Sequence, residues 1–195
     1  MTRDHEPSVT DHIPDAQARE DEWLAVRCQL GERAAFDDLI RRWNDPIWRY
    51  LRRLSSSEDD ALEMTQEVWL RVVRGIARLR EGARLRAWLF GIARRVAMDR
   101  LRHQYAAPRA ADVDVLDIAG EDPEPDDDDL AQLQQGLDRL PVVEREVLTL
   151  FYLRELSMHE VADVIGVPVG TVKSRLFRAR HLLRRELTSV RGDQS

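Results

Sequence analysis

The residues best placed to do chemistry lie near the carboxyl end, in SMHEVADVIGVPVGTVKSRLFRARHLLRREL. Lys173, Arg175, Arg178, Arg180, Arg184 and Arg185 recur there at helical spacing, with Phe177 among them and no acid between Lys173 and Glu186. Cations in that pattern neutralise phosphates, and an arginine fork can pair with guanine O6 and N7, which points to recognition of a duplex rather than bond making; a solvated helix face is the competing expectation over Arg178 to Arg185. Val172, Leu176, Ala179 and Leu183 fall at i, i+4, i+7 and i+11 and define a buried stripe. The opposite side then carries Gly170, Lys173, Ser174, Phe177, Arg178, His181, Arg184 and Arg185, flanked by Arg175 and Arg180. Small residues at its amino end allow close approach to DNA. An exposed Phe177 is costly unless it meets a partner such as a thymine methyl.

A second basic constellation is LRAWLFGIARRVAMDRLR. Leu85, Leu89, Ile92 and Val96 make its buried stripe, while Arg84, Gly91, Arg95 and Arg102 align beside it, bordered by Trp88. Arginines around an accessible indole suit a single strand, because guanidinium groups follow phosphate while rings stack on bases. Plain core packing of Trp88 is the competing expectation. Elsewhere there is no glycine-rich phosphate loop, no His/Cys/Asp set at metal-ligand spacing and no nucleophile beside a base, so neither an enzyme nor a bound cofactor or metal is expected. Cys28 reads as a small buried hydrophobe, with a redox-sensing thiol as the alternative. His159 reads as an exposed helix residue.

These residues need helices to place them. Leu, Ala, Arg and Glu dominate and no alternating β-branched run occurs, which predicts an all-α protein. The expected helices are 20–29, 32–43 leading through Pro46 into 47–54, a helix starting at Ser57 and reaching 78, and 85–102. In the second half, one begins near Leu130, restarts at Pro141 and runs to 153. The Ser157/Glu160 capping pattern opens a helix over 158–165, and 169–187 follows after Gly166 and Pro168, the helix-turn-helix layout.

Charge divides the chain. The 195 residues carry a net charge of −6, yet residues 21–105 hold seventeen arginines against thirteen acids and residues 130–195 hold ten cations against eight acids. Residues 106–129, AAPRAADVDVLDIAGEDPEPDDDD, hold one arginine against ten acids, a composition expected to form a flexible linker or a decoy for the basic faces. The expected organisation is a disordered tail over 1–20, a helical domain over 21–105, the acidic linker over 106–129 and a helix-turn-helix domain over 130–190. The longest charge-free stretch, Val164 to Val172, has nine residues, against the roughly 20 needed to span a bilayer. The N-terminus lacks a secretory pattern and the single cysteine precludes an internal disulfide, so a cytoplasmic protein is expected.

Three segments in this order, TQEVWLRVVRGIARL, RAWLFGIARRVAMDRLR and SMHEVADVIGVPVGTVKSRLFRARHLLRREL, resemble the extracytoplasmic-function sigma factors, two-domain members of the sigma-70 family. The resemblance spans about residues 21–188. It implies that the chain binds core RNA polymerase and directs promoter recognition and transcription initiation. The 59–74 helix would meet the clamp helices of the largest polymerase subunit, through Asp60, Met64, Gln66, Glu67, Trp69, Leu70, Arg71 and Arg74. Arg84, Leu85, Arg86, Trp88, Gly91, Arg95 and Arg102 would melt and read the minus-ten element; Arg95 stands where asparagine is common in the family. Gly170, Thr171, Lys173, Ser174, Arg175, Phe177 and Arg178 would read the minus-thirty-five element. An anti-sigma protein is a further implied partner. The competing class is a stand-alone helix-turn-helix regulator with an N-terminal sensing or dimerisation domain.

Overall fold

A computed structural model describes residues 15–106, 133 and 135–192 of the chain. Residues 1–14 and most of the acidic strip lie outside the described residues, so the expected tail and linker are not addressed there. All regular structure among the described residues is helical.

The first block has four helices. α1, Asp15–Gln29, starts six residues before the expected domain edge, within the part assigned to the tail, since Ala16, Ala18 and Arg19 are good helix formers. α2, Arg33–Arg52, is one continuous helix with Pro46 inside it, not two. The roughly 3 kcal/mol cost of an internal proline is offset by burial of Trp43, Ile47, Tyr50 and Leu51 on either side of it. α3, Glu58–Gly75, is capped by Ser57, whose hydroxyl accepts from the Asp60 amide at 3.1 Å. It stops at Gly75, followed by a 3-10 turn over Ile76–Arg78. The Trp88 indole lies 3.2 Å from where a Gly75 Cβ would sit, so the missing side chain is what admits the ring. A second 3-10 turn, Gly82–Arg84, leads into α4, Leu85–Ala106.

In the second block a helical turn over 135–138 precedes α5, Val142–Leu148, which Pro141 starts. The expected extension to 153 is instead a wider π-type turn, Thr149–Leu153, followed two residues on by Glu155 with a left-handed φ of 53°. α6, Met158–Ile165, and α7, Val169–Gly192, form the helix-turn-helix.

α4 is the central element. Its Leu85, Leu89, Ile92 and Val96 are buried as expected, and so are Phe90, Ala93 and Ala97. Phe90 meets Tyr50 and Trp43 edge to face, at centroid distances of 5.5 and 6.2 Å. The two blocks, expected to be separate domains on a tether, pack directly on one another, with α4 against α6. Buried Glu146 of α5 accepts from the Tyr50 hydroxyl and from Arg94 Nε, both at 2.9 Å. Arg145, also buried, donates to the backbone oxygens of Arg53 and Leu140 at 3.3 and 3.0 Å. Periodicity cannot reveal this seam, because its polar partners come from distant parts of the chain and one apolar core cluster runs through both blocks.

Candidate nucleic-acid interface

The helix-turn-helix is fixed by local chemistry. Ser157 and Glu160 form the reciprocal capping box, with the Glu160 amide donating to Ser157 Oγ at 3.2 Å and the Ser157 amide donating to Glu160 Oε2 at 2.8 Å. Gly166 closes α6 with a left-handed φ of 75°, which a side chain would strain. Pro168 then starts α7, its carbonyl accepting from the Thr171 amide at 2.8 Å.

α7 presents the expected surface over its first two turns. Val172, Leu176 and Ala179 are buried, whereas Gly170, Lys173, Ser174, Phe177 and Arg178 are exposed, and Thr171 and Arg175 are half-buried. Phe177 is 75% exposed, an unusual cost for a phenyl ring among cations. Arg178 pairs with buried Glu144 on α5, a partner that sequence spacing does not suggest. Farther along, Arg180 and Arg184 are exposed as well. They line an apolar groove of about 690 Å³ with Leu137, Leu148, Leu183 and Leu187, and Arg180 lies 5.5 Å from the Tyr152 ring.

The residues expected to meet the minus-ten strand are split by the seam. Arg95 and Arg102 are exposed, the latter paired with Asp99. Arg84 is exposed but paired with Glu81 at 2.7 Å and with Asp163 of α6 at 3.4 Å. Leu85 is fully buried, and Arg86 is buried with its Nε 3.8 Å from the Glu160 carboxylate. Trp88 and Gly91 are half-buried, and Trp88 packs on the core as well as bordering the arginines. In this arrangement Leu85 and Arg86 offer no surface to a strand. Asp21 stands behind Arg86; burial raises its carboxyl above the usual range, against the pull of Arg42 and Arg86.

α1 holds the loop before α4. Gln29 Nε2 donates to the carbonyls of Ile76 and Leu79 at 3.1 and 2.7 Å, and a Cβ on Gly82 would lie 2.9 Å from Glu22 Cγ. Neither residue carries a sequence signal, since both act through backbone approach.

On α3, Asp60 and Met64 point inward, and Asp60 accepts from Arg100 Nε at 2.6 Å. Trp69 is half-buried and donates to Asn44 Oδ1 at 2.9 Å, while Glu67 and Arg71 pair at 2.8 Å. Gln66, Leu70 and Arg74 face out, joined by Leu62 and Val73 at 45% and 56% exposure. Leu62, Gln66, Leu70 and Val73 share one helical face, and the two unexpected members were legible as an apolar spacing opposite the buried stripe. Among the described residues no cluster of metal-ligating side chains occurs and no helix is long and apolar enough to cross a membrane.

A helical block with an exposed apolar helix face, joined to a helix-turn-helix with a basic face, is the arrangement of a two-part DNA-binding protein. Family models agree: Sigma-70 region 2 matches residues 39–106 and Sigma-70 region 4 matches residues 130–183. The extracytoplasmic-function (ECF) RNA polymerase sigma factor SigM of Mycobacterium tuberculosis is 35% identical over 169 residues, covering 87% of this chain and 85% of SigM. The solved structure of CnrH in complex with the cytosolic domain of CnrY matches with a TM-score of 0.64 at 25% identity, over 87% of this chain and 97% of CnrH. The sigma factor RpoE, solved with the anti-sigma factor NepR from Bartonella quintana, shares the fold, with a TM-score of 0.64 at 24% identity over 78% and 96% of the two chains. The chain belongs to the extracytoplasmic-function sigma factors of RNA polymerase. Matches to both blocks disfavour a stand-alone regulator.

Proposed function

We propose that the chain acts as a dissociable specificity subunit of core RNA polymerase in the cytoplasm, without catalysing a reaction itself. The outward face of α3, with Leu62, Gln66, Leu70, Val73 and Arg74, docks on the polymerase clamp helices. The 170–178 face of α7 lies in the major groove of the minus-thirty-five element, with Lys173 on phosphate, Arg178 on a base edge and Phe177 against a thymine methyl. Arg84, Trp88, Gly91, Arg95 and Arg102, together with Arg86 once uncovered, hold the unpaired minus-ten strand. Holding an extruded base costs a few kcal/mol, which stacking and phosphate contacts offset. An anti-sigma protein is the regulator of this reading, and the leucine-lined groove with Arg180 and Arg184 suits an amphipathic helix with acidic flanks.

The observation that carries the reading is the pairing of an open basic recognition face on α7 with an unpartnered apolar face on α3 in one chain. Co-purification tests it. The intact chain associates with core polymerase, and Leu70→Asp with Val73→Asp weakens that association by about tenfold or more, as expected for charge placed in an apolar contact. Association unaffected by the double substitution would remove α3 from the docking surface.

A further inference from the structure

Arg178 lies on the recognition face with its side chain 65% exposed, and its Nη2 meets Oε1 of Glu144, whose side chain is 4% exposed. Glu144 belongs to the first turn of α5, 34 residues earlier in the chain. A buried carboxylate next to a DNA-reading surface carries two costs: desolvation, and repulsion of the approaching phosphates. Among the described residues, no ion pair holds Lys173 or Arg175 on the same face, so Arg178 is singled out.

We infer that Glu144 is a positioning residue that orients the Arg178 guanidinium and makes it a reader of a base edge instead of a phosphate contact. The inference rests on the proposed role of α7 at the minus-thirty-five element. A guanidinium is a rigid planar fork with five N–H donors, and bidentate pairing with a base needs that plane at a set angle. An untethered arginine on an exposed helix samples many rotamers and settles on whichever phosphate is near. Tying Nη2 to a carboxylate fixed in the protein interior removes that freedom before DNA arrives and leaves the other donors for the base. It also cancels most of the arginine's charge, so the side chain adds little to sequence-independent attraction. Glu144 thus shifts Arg178 from affinity toward discrimination.

The test uses holoenzyme assembled from core polymerase and the full chain, on templates with each minus-thirty-five base pair replaced in turn. Arg178→Ala lowers discrimination at one base pair by about fivefold or more. Glu144→Gln lowers discrimination at that same base pair and no other, and adds nothing in the Arg178→Ala background. Promoter binding by Glu144→Gln also depends more steeply on salt, by about one unit of log–log slope, because the released cation turns to a phosphate. Glu144→Asp keeps the charge but retracts it; it loses discrimination at the same base pair and carries the test if the glutamine variant fails to fold. Full discrimination in both Glu144 variants, with Arg178→Ala still impaired, overturns this inference alone. Unchanged discrimination in Arg178→Ala overturns it together with the base-reading role of Arg178.

Discussion

Glu146 binds two groups across the seam, the Tyr50 hydroxyl and Arg94 Nε, and is itself buried. Removing it leaves a buried hydroxyl and a largely covered guanidinium without their acceptor, a loss of about 3 kcal/mol by analogy with broken buried ion pairs. Glu146→Ala should therefore lower the stability measured by urea unfolding by about that amount and make the two blocks unfold separately; an unshifted, single transition would show that the seam contributes nothing. Cys28 is the opposite case, a group whose setting suppresses chemistry. Burial pushes its thiol up, with nearby Arg27 opposing, so the reactive thiolate is scarce in the folded chain. Folding favours the neutral thiol, so the associated stability is present below the unfolded value of about 8.5 and is lost as pH rises through the higher folded value. Thiol labelling of the folded chain at mildly alkaline pH should be slow and should accelerate in denaturant; fast labelling of the native protein would revive a redox role.

At the level of elements, the parts most legible in sequence were those governed by local chemistry. The capping box at Ser157, the glycine turn at Gly166 and the first three members of the α7 stripe, Val172, Leu176 and Ala179, stand where spacing placed them, whereas Leu183 is half-buried on the groove. Ser157→Ala should cost about 1 kcal/mol in thermal or urea unfolding by loss of the cap. Where tertiary packing overrides a local rule, sequence misleads. Pro46 reads as a break yet sits inside α2, and the helix after Pro141 widens at Thr149 instead of running on. The loop before α4 belongs to the same class, since its position depends on backbone contact between Gly82 and Glu22. A Cβ at Gly82 forces these apart, so Gly82→Ala should cost about 1–3 kcal/mol in stability and slow promoter opening. Normal opening kinetics would show that the loop's position against α1 is immaterial.

For the whole molecule, the net charge of −6 conceals two basic blocks on either side of an acidic strip. What charge placement could not show is that the blocks touch. α4 packs on α6, Arg84 reaches Asp163, and Arg86 is covered beside Glu160. At about 3.4 Å per base pair, two promoter elements some 25 base pairs apart are too distant for helices in contact to read together. If the two faces read the two elements as proposed, the seam parts on polymerase, and the same parting uncovers Arg86. Run-off transcription tests whether the chain directs initiation through these two elements. Core polymerase supplemented with this chain should initiate at a defined start site on promoters with intact minus-thirty-five and minus-ten elements, and loss of either element should abolish the product. Initiation that is indifferent to the chain, or to both elements, would contradict the account.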